Sequence, residues 1–170
     1  MLFLLILFNI YMGMEKNNIV KLDFSTSYNQ FYLVDADYLE SDKDLWADSA
    51  MMERLSADKG LIAIYTQSYG PIKGELDILE KNGKDEDFAG YDHVVESKLD
   101  LKTGVLQVQD CPNSSVVKEV RLDPGLYSIR VYSKGLDTVE GDEGDDYYRI
   151  VIWPAEDTDM RVKVLKQYNP

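Results

Sequence analysis

The chain has 170 residues, enough for one domain with a proper core. Its hydrophobic content of 45% and aromatic content of 11% are globular values, which excludes a disordered acidic tail as the source of its charge. The formal net charge of −13 repels nucleic acid and anionic membrane surfaces and attracts basic surfaces and cations, with plain solubility as the competing explanation.

Residues 1–13 form an uncharged apolar leader. It is too short to span a bilayer as a helix and lacks the basic start and small-residue cleavage site of a secretory signal. Met14 then opens "MEKNNIVKLDF", an ordinary cytosolic start, so the leader reads as a mis-called start; a degenerate signal or anchor is the rival reading. Residues 14–170 are expected to form one domain, located in the cytoplasm.

"YNQFYLV" (28–34) is aromatic-rich and strand-like. "KDLWADSAMMERLSADKG" (43–60) has approximate helical spacing at Leu45, Ala47, Met51, Met52 and Leu55, with Gly60 as C-cap, and is the one helical candidate, an irregular connection over "LWADSAMM" being the alternative. "LIAIYTQ" (61–67) and "GELDILE" (74–80) read as strands. "DHVVESKLDL" (92–101) and "VLQVQ" (105–109), separated by Thr103-Gly104, read as a hairpin. "VVKEVRL" (116–122) places Val116, Val120 and Leu122 inward, and Asp123-Pro124-Gly125 follows as a turn. In "LYSIRVYS" (126–133) Tyr127, Ile129 and Val131 face in, while Ser128 and Arg130 face out. "YYRIVIW" (147–153) and "RVKVLKQY" (161–168) complete the set. Short strands at regular intervals with Pro/Gly turns predict a mainly β chain: an antiparallel β-sandwich of roughly eight strands with one short helix, a barrel being the alternative.

The densest chemistry lies in "GLDTVEGDEGDD" (135–146), which carries Asp137, Glu140, Asp142, Glu143, Asp145 and Asp146. Carboxylates and glycines in succession suit a hard cation, but the spacing does not match the EF-hand loop. A calcium-dependent binding module using Asp137, Asp142, Asp145 and Asp146 is therefore the alternative to a protein-contact surface. A single histidine (His93) and a single cysteine (Cys111) cannot build a transition-metal site or an internal disulfide, and no cofactor is expected. Cys111 sits in the turn-like "QDCPNSS" with no nucleophile motif around it. His93 beside Asp92 and Glu96 gives an enzyme reading, against a structural histidine at a strand entry. No phosphate-binding glycine loop and no basic patch are present. Twelve tyrosines are unusually many, and Tyr132, Tyr147 and Tyr148 lie near the acidic loop. Aromatic anchors beside carboxylates suit a protein interface. The contact surface is therefore assigned to Asp137, Glu140, Asp142, Glu143, Asp145, Asp146, Tyr132 and Tyr147.

"GYDHVVESKLDLKTGVLQVQDCP" and "DPGLYSIRVYSKGLDTVEGDEGDDYYRIVIWPA" resemble an uncharacterised bacterial family over about Ser25 to Leu165. Its pattern falls here on Asp92, His93, Glu96, Gly125, Tyr127, Leu136, Asp137, Asp145, Tyr148, Trp153 and Pro154, as scaffold or site. "SYNQFYLV" and the later Gly-x-Tyr strand are also similar to the competence protein J family, named for the inhibitor of a DNA-entry nuclease. That resemblance implies an inhibitor or immunity-like role, with no catalytic residue carried over. Joined to the charge of −13, it gives a non-enzymatic protein-binding module whose partner is a basic protein such as a nuclease or toxin, with no nucleic-acid or membrane partner.

Overall fold

The computed structural model describes residues 18–40, 44–82 and 87–170; the leader expected over 1–13 lies outside them, as does Lys43 at the start of the expected helix. In chain order the elements are β1 (Asn18–Ser25), β2 (Gln30–Asp35), α1 (Asp48–Glu53), β3 (Leu55–Asp58), β4 (Leu61–Tyr65), β5 (Pro71–Ile78), β6 (His93–Leu101), β7 (Val105–Gln109), β8 (Val116–Arg121), β9 (Gly125–Lys134), β10 (Tyr147–Pro154) and β11 (Lys163–Lys166). They form a six-stranded sheet, β1-β5-β10-β9-β6-β11, and a five-stranded sheet, β3-β4-β2-β7-β8. The mainly β fold is as expected, with eleven described strands rather than roughly eight. All pairs are antiparallel except β5 and β10, which run parallel. No helix among the described residues is long and apolar enough to cross a membrane.

The core lies between the sheets. Alternate residues supply it: Tyr127, Ile129 and Val131 from β9, and Tyr148, Ile150 and Ile152 from β10, face Phe31 and Leu33 from β2 and Leu106 and Val108 from β7. Two smaller apolar clusters cover the outer faces. Tyr32, Val34, Ala63 and Tyr65 are packed by Ala50 of α1 with Tyr38 and Leu45. Val94, Tyr132, Val151 and Trp153 are packed by Leu79, Phe88 and Tyr91. Central strands are thus buried on both faces, which is why β2 and β4 read as continuous apolar runs rather than as alternation.

Three local expectations change. The helix is confined to Asp48–Glu53: Arg54 adopts a left-handed conformation (φ 56°) that ends it, and Leu55 and Ala57 then enter the core as β3. Gly60 belongs to the tight β3–β4 hairpin, where Asp58 pairs with Leu61, and caps no helix. Core burial of Leu55 outweighs its helical spacing relative to Met51 and Met52. The segments either side of Thr103-Gly104 do not form a hairpin. β6 and β7 lie in opposite sheets, because Asp35 of β2 accepts bonds from the Thr103 amide (3.1 Å) and hydroxyl (2.6 Å) and draws the chain across. Gly104, at φ 71°, is required there: a Cβ would stand 2.5 Å from the Leu122 carbonyl of the neighbouring crossing. Finally, Val116 faces solvent at 49% exposure, because the β7–β8 register shifts between Val108 and Gln109 and reverses the alternation.

Candidate functional site

One end of the sandwich gathers three connections: β1–β2 (residues 26–29), β4–β5 (66–70) and β9–β10 (135–146). They are tied by main-chain bonds from Asn29 N to Tyr69 O (3.2 Å), Thr66 N to Asn29 O (2.8 Å) and Tyr69 N to Asp142 O (2.9 Å). The acidic loop is ordered by its own sequence. Gly135 and Gly141 take positive φ (72° and 67°), Leu136 is buried in the core, and Leu136–Thr138 forms a single 3-10 turn. The Thr138 hydroxyl donates to Gly135 O (2.6 Å) and accepts from Asp145 N (2.8 Å), while Glu140 and Glu143 form a bridge. At the far side, Tyr168 donates its hydroxyl to Asp137. That bond to a carboxylate pushes the Tyr168 phenol up.

The structure divides the eight expected contact residues. Asp137, Glu140, Asp142, Glu143 and Asp145 are exposed. Asp146 is not: it is buried at 4% exposure, and its carboxylate accepts from the Ser68 amide (2.9 Å), the Ser68 hydroxyl and the Tyr148 hydroxyl (2.6 Å). It holds the β4–β5 connection to β10, so its place in a contact surface is corrected to a structural one. Burial, with the Asp146 charge, pushes the Tyr148 phenol well up, consistent with a permanent donor. Tyr132 is likewise buried, packed against Tyr91 at 4.8 Å between ring centres, and accepts from Arg130 (3.3 Å). Tyr147 is half-buried, donates to Glu75 (3.0 Å) and lies under the Lys134 ammonium.

Loss of Asp146 from the surface removes one of the four calcium ligands that the alternative reading needs. Among the described residues, no three His, Cys, Asp or Glu side chains converge on a point that could hold a metal ion. The convergence of Asp92 and Glu96 on His93 that the enzyme reading predicts is not what the geometry shows. His93 is fully buried; its Nε2–H donates to Glu53 O (2.9 Å) and its Nδ1 accepts from Tyr168 N (3.2 Å). Glu96 points to the opposite face of β6, paired with Arg130 at 2.8 Å, and Asp92 accepts from Leu136 N (2.9 Å). His93 is therefore a neutral structural link between α1 and the C-terminal segment, and burial lowers its pKa. Cys111 is buried too, its sulfur accepting from Gln30 (3.0 Å) and Tyr32 (3.3 Å).

Residues outside the expected set complete this end. Tyr28 is 59% exposed and Tyr69 39%, and their rings meet edge to face at 5.8 Å. Tyr28 and Asn29 both have positive φ (60° and 56°), closing the tight turn between the bridged pair Ser27 and Gln30. A tyrosine in that conformation is uncommon and displays its ring at the loop tip. Trp46 and Met51 are also exposed and line a groove beside this turn with Arg54 and Tyr65. The sequence signal for Tyr28 was "SYNQ", where Asn-x pairs favour tight turns; nothing in the sequence tied it to Tyr69.

A two-sheet β fold with one structured acidic end defines the class: a mainly β sandwich presenting an ordered anionic loop. Two solved structures share the fold. One is ComJ, inhibitor of the DNA degrading activity of NucA, from Bacillus subtilis, with a TM-score of 0.61, 18% identity, and coverage of 81% of this chain and 98% of that one. The other is the crocagin biosynthetic gene J protein, with a TM-score of 0.53, 12% identity, and coverage of 81% and 97%. The similarity to the competence protein J family expected from "SYNQFYLV" thus holds at the level of fold. No family model and no curated protein matches the chain.

Proposed function

We propose that the chain is a non-enzymatic, cytoplasmic protein-binding module: an inhibitor or immunity protein that neutralises a basic effector such as a nuclease or toxin. The observation that carries this reading is the acidic loop itself. Five exposed carboxylates (Asp137, Glu140, Asp142, Glu143, Asp145) stand on a backbone fixed by Leu136, Thr138, Asp142 O and Tyr168. A cleft built to hold phosphates is cationic, and a preordered display of carboxylates can occupy it at low entropic cost. The chain's charge of −13 steers that encounter. The ComJ likeness supports the same direction, because that protein inhibits a DNA-degrading activity.

The test is a search of the gene neighbourhood for a basic nuclease, followed by a DNA-cleavage assay with the candidate it returns. Stoichiometric chain is expected to suppress cleavage, and a variant carrying Asp142→Asn, Glu143→Gln and Asp145→Asn is expected to lose most suppression. Full suppression by that variant would detach the function from the loop.

A further inference from the structure

The groove beside the Ser27–Gln30 turn has a volume of about 480 Å³. Its walls are Tyr28, Trp46, Met51 and Tyr65, with Arg54 at one side. Trp46 meets Tyr65 edge to face at 6.3 Å. Three of these walls are unusually exposed for large apolar side chains: Tyr28 at 59%, Met51 at 56% and Trp46 at 46%. Such a concentration marks an interaction site rather than scattered surface residues.

Charge says what kind of partner fits. The groove is joined to the acidic loop through two tyrosines. Tyr28 meets Tyr69 edge to face, and the Tyr69 amide bonds Asp142 O; Arg54 lies over the Tyr168 ring (5.3 Å), whose hydroxyl bonds Asp137. Asp48 lies in the first turn of α1, which has no basic residue in its last turn. Asp44 is close enough to act with burial in pushing the Tyr65 phenol up to about 12. Among the described residues the one cation in the wall is engaged within the molecule: Arg54 donates to Gln67 and stacks on Tyr168. An apolar slot with Asp44 beside it, on a chain of net charge −13, is complementary to a large apolar side chain flanked by basic residues.

We propose that this groove receives a large apolar side chain of the basic protein partner, while lysines or arginines beside it in the partner's chain pair with the carboxylates of the 137–145 loop and of α1. This rests on the protein-binding reading above and divides the labour within it. The loop sets the rate of encounter, and the groove sets the lifetime of the complex.

The experiment is an NMR titration of the intact 15N-labelled chain with acetylated Lys-Arg-Phe-Lys-Arg, with the same peptide carrying Ala for Phe, and with Glu-Glu-Phe-Glu-Glu. The Trp46 indole N–H is the reporter and the buried Trp153 the internal reference. The basic Phe peptide is expected to bind at least about tenfold more tightly than the Ala peptide. Trp46→Ala and Met51→Ala, read on the Tyr28 and Tyr69 amides, are expected to remove that difference. Met52→Ala, whose side chain is 68% exposed on the same helix but does not line the groove, is expected to keep it. Equal, salt-sensitive binding of the two basic peptides would overturn the groove and leave the acidic loop's role standing. Binding of the acidic peptide as tight as that of the basic one would overturn the charge complementarity. No binding of either basic peptide at millimolar concentration would sink both the groove and the reading it rests on.

Discussion

His93 shows how one buried residue links separate parts of the chain. Its ring joins the Glu53 carbonyl to the Tyr168 amide and is surrounded by apolar packing, with the Arg54 guanidinium nearby. Burial, the largest influence, depresses its pKa in the folded state, so the fold prefers the neutral ring. The stability this contributes is complete above the unfolded value near 6.5 and is lost as pH falls below it toward the folded pKa. Urea denaturation between about pH 8 and pH 5 is expected to show stability falling with acid, and His93→Gln is expected to flatten that part of the profile. A second residue-scale prediction concerns Asp146. Replacing it by Ala leaves the Ser68 amide, the Ser68 hydroxyl and the Tyr148 hydroxyl without their shared acceptor. The expected cost is about 3 kcal/mol, measured by chemical denaturation. A change within a few tenths of a kcal/mol would return Asp146 to the surface role its sequence position suggested.

At the scale of elements, closeness of approach decides what is tolerated. β5 and β10 run so near one another that a Cβ on Gly74 would lie 2.2 Å from the Tyr148 carbonyl. Gly74→Ala is expected to destabilise by about 3 kcal/mol or more, read as a lowered denaturation midpoint. The C-terminal segment makes a different prediction. It braces the acidic loop through Tyr168 and Asp137 and touches α1 through Gln167 and Met52 O (3.3 Å). Removing residues 167–170 is expected to speed amide exchange across 136–145 while leaving β9 and β10 protected. Much of this architecture was readable beforehand. The alternation in "LYSIRVYS" placed Tyr127, Ile129 and Val131 in the core, where they are. What failed was non-local. Nothing in "LDLKTGVLQ" reveals that Asp35, sixty-eight residues earlier, anchors Thr103 and turns an apparent hairpin into a crossing between sheets. Similarly, Asp146 and Asp145 are adjacent and chemically alike, yet strand entry at Tyr147 sends one inward and leaves the other in solvent. Tyr28, Tyr69 and Trp46 come from three segments far apart in the chain, so their meeting had no local signature.

Across the whole molecule, charge and shape point to the same end of the sandwich. Among the described residues, three of the exposed large apolar side chains (Tyr28, Trp46, Met51) line one groove, and Tyr69, against Tyr28, bonds the acidic loop at Asp142 O. A net charge of −13 makes long-range attraction to a basic partner strong at low salt and weak at high salt. The most direct measurement is stopped-flow association of the intact chain with a basic nuclease that it inhibits in the cleavage assay, from about 20 mM to about 500 mM salt. The association rate is expected to fall by roughly tenfold or more across that range, and the Asp142→Asn, Glu143→Gln, Asp145→Asn variant is expected to start lower and fall less. An association rate that does not change with ionic strength, or one that the variant leaves untouched, would contradict a role for the acidic loop in recognising a basic partner.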